Sequence, residues 1–562
     1  MGVTACGNDG ETPAPAAGVA PAVAPARVDP AVATLAAQSA RFAPTELSAD
    51  VSALPESERR ALAHMVRAGQ VMDALFLRQV WAGNEAMLTS LVTDDTPLGR
   101  ARLGYFLVNK GPWSRLDHNA PFVPGAPAKP AAANFYPADA TKADIEKWIA
   151  VLPGAARTAA TGFFTTIRRG PNGQLMAVPY NVEYQSELAV AAGHLRDAAA
   201  ATTQPTLKAF LEARAAAFLS NDYYDSDVKW MELDASIEPT IGPYEVYEDE
   251  WFNYKAAFEA FITLKDQAES AKLRQFAAGL QDIENHLPID QKYRNPALGA
   301  MAPIAVVNTL YSAGDGNRGV QTAAFNLPND ERVVAAKGSK RVMLKNNQQA
   351  KFDQVLLPIA QVALAPADRP NVAFDAFFTH ILMHELVHGL GPHNITVGGR
   401  ATTVRQELKD TYSAIEEAKA DAAGLFALQF LVDTGVLPKT MERTIYTTFL
   451  ASAFRSIRFG VTEAHGIGQA VQLNYLLDRG AFTVNADGTF AVAADKIRDA
   501  VTALTHDLLM IEAEGNYAGA KTLLQTLGVV RQNTQAVFDK LTAVPVDIAP
   551  RFTSTAALLA AY

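Results

Sequence analysis

The chain has 562 residues, 49% of them apolar and 19% charged, with 36 Gly, 31 Pro and a single Cys. That apolar share excludes disordered and collagen-like classes, and one Cys excludes a disulfide scaffold. The formal charge of −10 argues against non-specific nucleic-acid binding, and no run of 18 apolar residues is present to span a membrane.

The start of the chain has its own character. Val3-Thr4-Ala5-Cys6 resembles the small-residue pattern before the lipidated cysteine of bacterial lipoproteins. The resemblance implies a lipid anchor at Cys6 and a place in the periplasm or outer envelope; without an anchor the expected location is cytoplasmic. Residues 7–30 contain five prolines and many alanines but no Leu, Ile or aromatic residue, too little apolar surface to fold. Residues 1–45 are therefore expected to form a disordered tether.

Folded sequence is expected from about Ala43. Residues 56–81, 206–219 and 256–287 carry apolar side chains at helical spacing. Residues 174–182, 341–345 and 482–492 read as strands, and 111–137 as a loop-rich stretch. Residues 355–541 read as mostly helical. The expected class is α+β. A mixed α/β lobe spans 46–258, completed by about 310–355 and 540–562, and a helix-rich lobe takes the rest of 259–539.

Four of the ten histidines lie between positions 380 and 393. His384-Glu385-Leu386-Val387-His388 is an HExxH string. On a helix its two imidazoles share one face and can hold one metal ion, with Glu385 beside them as a base. A catalytic zinc site takes three protein ligands and keeps one position open. A third histidine six residues after His388 would fall at position 394, which is Asn394, and His393 is one position short. The other source is Glu416-Glu417-Ala418-Lys419-Ala420-Asp421, on a predicted helix. There Glu417 can bind the metal while Asp421 and Glu416 accept the far N–H groups of the two histidines. The expected cofactor is one Zn2+ per chain, since imidazole and carboxylate suit it.

The HELVHG and EEAKAD strings together resemble the dipeptidyl peptidase III family of zinc exopeptidases, in the form with the short HExxH. Carried over, the resemblance makes His384, His388 and Glu417 the zinc ligands and Glu385 the general base. Thr462–Gln469 resembles the segment whose histidine stabilises the transition state, which implicates His465. Phe325–Asn329 resembles a paired-asparagine motif that holds a peptide's free amino terminus, through Asn326 and Asn329. Ile237–Glu245 resembles the stretch bearing a glutamate for the substrate ammonium, matched to Glu238. The family's tyrosine two residues on is replaced by Thr240, with Tyr244 or Tyr247 near enough to substitute.

The resemblance implies two lobes around a wide cleft, with the zinc helices in one lobe and a small β-barrel core in the other. The expected activity is removal of dipeptides from the free amino terminus of oligopeptides. The alternatives are a zinc hydrolase or endopeptidase without amino-terminal anchoring, and a non-catalytic zinc- or peptide-binding lipoprotein. The expected partner is an oligopeptide, with no nucleic acid and no membrane contact except through Cys6.

Overall fold

The computed structural model describes residues 29–299 and 303–562, so Cys6 and most of the expected tether lie outside the described residues. The tether stops short of residue 45. Pro30–Ser39 is a helix, capped by Asp29, whose side chain accepts from Ala31 N at 2.8 Å. Phe42–Glu46 then pairs in parallel with Asp547–Arg551. Leu35 and Phe42 explain the change: both are buried beside Tyr105, apolar anchors of a kind absent upstream.

The body is built, in chain order, from helices α1 (Glu56–Val80) and α2 (Gln185–Ala201) and strands β1 (Thr240–Glu245), β2 (Ala257–Lys265), β3 (Ile304–Gly314), β4 (Ala324–Leu327) and β5 (Lys340–Leu344). Helices α3 (Phe374–Val387), α4 (Tyr412–Asp433), α5 (Met441–Ile457) and α6 (Ala464–Asp478) follow. The strands form a half-barrel of order β1-β2-β3-β5-β4. Pairing is antiparallel except between β3 and β5, which are separated in sequence by β4.

Alternation along the central strands divides the molecule. Ala305, Val307, Val342 and Leu344 point into one core, with α1, α2 and the helix Pro205–Ser220. Val306 and Met343 point the other way, into the core built by residues 352–541. One sheet thus serves two lobes, because successive strand residues face opposite sides.

Two expectations change. The segment 256–287 begins as strand β2 and only then becomes the helix Gln267–Ala278. Eight of the nine β2 residues are buried, on both faces of the sheet, so its unbroken apolar run mimics a buried helix. In consequence the boundary at 258/259 falls inside β2, whose Phe258 to Leu264 belong to the mixed-lobe core; the chain passes to the helical lobe after Lys265.

Candidate functional site

Helix α3 is held by Phe377, Phe378, Leu382, Met383, Leu386 and Val387, all buried. That packing leaves His384 and Glu385 on its last turn and His388 as its C-terminal cap. Gly391 follows at φ 79°, a left-handed turn suited to glycine, and its N–H donates to Glu284 Oε2 at 2.7 Å.

Helix α4 packs along α3 and comes close at Gly424, where a Cβ would sit 3.4 Å from His384 N. The approach brings Glu417 Oε2 to 3.2 Å from His384 Nε2 and 3.9 Å from His388 Nε2. The two imidazole nitrogens are themselves 3.1 Å apart. Their far nitrogens are engaged: His384 Nδ1 lies 2.7 Å from Asp421 Oδ1, and His388 Nδ1 lies 2.7 Å from Glu416 Oε1. Asp421 is braced by amide donors from Gln469 and Gln472, and Glu416 by Lys419 Nζ at 2.9 Å.

This set fits zinc. Ligand atoms about 2.0–2.1 Å from a tetrahedral ion lie roughly 3.3 Å from one another, close to the spacings here. Glu417 Oε2 is also buried without a hydrogen bond, an orphaned acceptor aimed at two imidazole nitrogens. Glu385 comes close to the same histidines as well. It is nonetheless drawn aside by an ion pair with Arg341, so Glu417 is the better third ligand and Glu385 stays beside the set.

The electrostatics agree with that assignment. Burial works against a charged Glu417, but His384 and His465 outweigh it and hold its carboxyl well below the usual range. Burial opposes Asp421 too, yet His384 keeps it at about 2. Burial lowers His384, and the Asp421 and Glu417 carboxylates more than reverse this, raising it to about 10. The carboxylates thus draw positive charge to His384, a place that a divalent cation can take instead of the proton.

His465 stands on the first turn of α6, its Nδ1 3.1 Å from Glu417 Oε2, with its side chain 62% exposed toward the cleft. The N-cap Glu463 starts that helix by accepting from Gly466 N at 2.7 Å. Gly468 lets α6 approach α4: a Cβ there would sit 3.3 Å from Ala414 O and Ala418 N. A cavity of about 540 Å³ runs past His384, Glu385 and His465, lined also by Phe377, Ile381 and Arg455. His380 stays out of the site, with Nε2 3.0 Å from Asp421 O and its ring against Phe449.

The sheet supplies the opposite wall. Asn326 of β4 pairs across from Arg341 of β5, and both line a second cavity with Glu385 and His388. Arg341 was not singled out from the sequence. Its signal was alternation: with Val342 and Leu344 facing the mixed-lobe core, Arg341 and Met343 face the zinc helices.

Glu238 does not reach the cleft. It is 1% exposed and ion-paired with Lys340, whose Nζ also donates to Trp230 O at 2.7 Å. Thr240 is buried as well, and Tyr244 lies in the core against Arg214. Glu245 answers the description better. Asn329 Nδ2 donates to Tyr244 O at 2.9 Å, which places it at the head of Glu245-Val246-Tyr247. Among the described residues Glu245 makes no ion pair, and Tyr247 is 65% exposed two residues on, the very spacing of glutamate and tyrosine that the Glu238–Thr240 reading lacked. Burial, then Asp315, pushes Glu245 up to about 7, as for a carboxylate awaiting a cation.

Known proteins resemble this chain over most of its length. The sequence profile of Peptidase family M49 matches residues 168–393. Nudix hydrolase 3 of Arabidopsis thaliana is 41% identical over 578 residues, covering 94% of this chain and 75% of its own. A dipeptidyl-peptidase III structure from Corallococcus sp. strain EGB is 64% identical with a TM-score of 0.77, covering 94% of this chain and 98% of that one. The chain belongs to the dipeptidyl peptidase III family, peptidase family M49. A second dipeptidyl peptidase III, from Caldithrix abyssi, is 48% identical with a TM-score of 0.88, covering 93% of this chain and 99% of that one. The family's two-lobed α+β architecture is the one described above.

Proposed function

We propose that this peptidase is a zinc-dependent exopeptidase that releases dipeptides from the free amino terminus of oligopeptides. The observation that carries the reading is the convergence of His384 Nε2, His388 Nε2 and Glu417 Oε2, with Glu385 beside them and Asn326 across the cleft. A zinc ion held by those three ligands supplies Lewis acidity, polarising the scissile carbonyl and making water more acidic.

The chain's own residues do the rest. Glu385 takes a proton from the attacking water and returns it to the leaving amine. Arg341 holds that carboxylate in place. His465, raised in basicity by its contact with Glu417, offers a donor to the developing oxyanion. Glu245, Asn326 and Asn329 grip the α-ammonium, and the distance from that grip to the metal ligands fixes the cut after two residues. A buried ammonium needs a paired carboxylate, which assigns this task to Glu245 and not to Glu238.

The test is product analysis. An unblocked hexapeptide incubated with the protein is expected to yield its N-terminal dipeptide by mass spectrometry, and a chelator to abolish the product. Single amino-terminal residues or internal fragments as first products would overturn the reading and favour a broader zinc hydrolase.

A further inference from the structure

A second cluster of metal-binding side chains lies away from the cleft. His64 on α1 faces His194 and Asp197 on α2, and one ligand atom from each lies within 4.8 Å of the other two. Helix geometry makes the pairing: His194 and Asp197 are three residues apart and share a face, and α1 packs along the length of α2. None of the three residues lines the cavities around the zinc ligands.

The histidines are unusual for a helix interface. The Nδ1 atoms of both His64 and His194 are buried without a hydrogen-bond partner, two orphaned nitrogens in one place. Buried polar atoms are seldom left so, because each loses its water without compensation. His64 Nδ1 is 3.8 Å from Asp197 Oδ2, too long for a hydrogen bond but near the spacing of two ligands on one ion. The Asp197 side chain is 63% exposed and free to swing the remaining half ångström or so. Arg67, one turn beyond His64, is turned to Leu559 O at 3.1 Å; its charge weakens a cation site here without removing a ligand.

The geometry points to a second divalent-metal site at His64, His194 and Asp197, a clamp joining α1 to α2 that is distinct from the catalytic centre. Two imidazoles and one carboxylate select zinc, and equally nickel, copper or cobalt, over calcium or magnesium, which prefer all-oxygen sites. The three ligands leave a position for water, and the place of the cluster between two packed helices, away from the cleft cavities, gives it a structural role.

The experiment separates the two sites. Metal-stripped His384→Ala/His388→Ala protein, its catalytic site disabled, is titrated calorimetrically with zinc chloride. One zinc per chain is expected to bind, and His194→Ala in that background to abolish it. Asp197→Asn, an exposed change that leaves the fold alone, is expected to weaken binding by about tenfold or more, as even outer ligand partners do. In the otherwise intact protein, His194→Ala is expected to lower zinc content from two ions to one and leave peptidase activity unchanged. No zinc bound by the His384→Ala/His388→Ala protein, or binding indifferent to both His194→Ala and Asp197→Asn, would overturn the proposal.

Discussion

Glu238 and Glu245 lie on one short stretch of chain, yet their surroundings are opposite. Glu238 is sealed in with Lys340, whose Nζ also stands 3.9 Å from the Trp230 ring centre. Removing one partner of such a pair strands the other charge, so Glu238→Ala is expected to lower stability by about 3–5 kcal/mol in denaturant titration, with KM unchanged. Glu245 is expected to act on binding instead. It ionises only above about 7, while a peptide's α-amino group is protonated below roughly 7.7–8.0. Peptide affinity for Glu385→Gln protein, measured calorimetrically, is therefore expected to peak between those values and fall on the acid side. Adding Glu245→Gln is expected to remove that acid limb and weaken binding about tenfold or more, the worth of a charge-assisted contact. The proposed zinc ligands could be named from sequence because their geometry is local: two histidines one turn apart on one helix, then Glu417 on a second helix, with Asp421 one turn on to accept from His384. Glu245 was missed although its spacing to Tyr247 stands in the sequence; what the sequence does not show is that Glu238 is already neutralised by Lys340, about a hundred residues away.

Elements place these residues. Helix α6 reaches His465 toward Glu417 only because Gly468 has no side chain against the α4 backbone. Gly468→Leu is expected to push α6 outward at a packing cost of about 1–3 kcal/mol. Because His384, His388 and Glu417 lie on the other two helices, zinc content is expected to survive while kcat falls, which metal analysis and steady-state kinetics would show together. Loss of zinc along with kcat would mean that α6 supports the ligands themselves. Residues 355–541 were readable as mostly helical, as α3, α4, α5 and α6 bear out, and residues 341–345 as a short strand, close to the observed Lys340–Leu344. Strand β2 was misread as helix: Phe258, Ala260, Phe261, Ile262 and Leu264 are buried on both faces, so no alternation was left to betray a strand. The misreading displaced the lobe boundary with it.

At the scale of the whole molecule, two lobes share one sheet and meet at the zinc ligands. Metal removal is accordingly expected to do more than stop catalysis. A ligand at a hundred times its Kd adds about 2.7 kcal/mol of stability, so chelation is expected to lower Tm, with His384→Ala protein losing that dependence on the catalytic zinc. The two-lobed plan came from the resemblance carried by two short motifs, whereas the early helix Pro30–Ser39 and the parallel pairing of Phe42–Glu46 with Asp547–Arg551 were invisible, since neither partner predicts the other across five hundred residues. The central claim is that an amino-terminal grip measures the cut against the metal site. It is tested most directly by hydrolysis of a dipeptidyl arylamide with a free amino group beside its N-acetylated twin, with Glu385→Gln and chelated protein as blanks. Cleavage of the free form alone, absent from both blanks, is the predicted result. Equal cleavage of the two forms would contradict the grip, and with it the reading of this protein as a dipeptidyl exopeptidase.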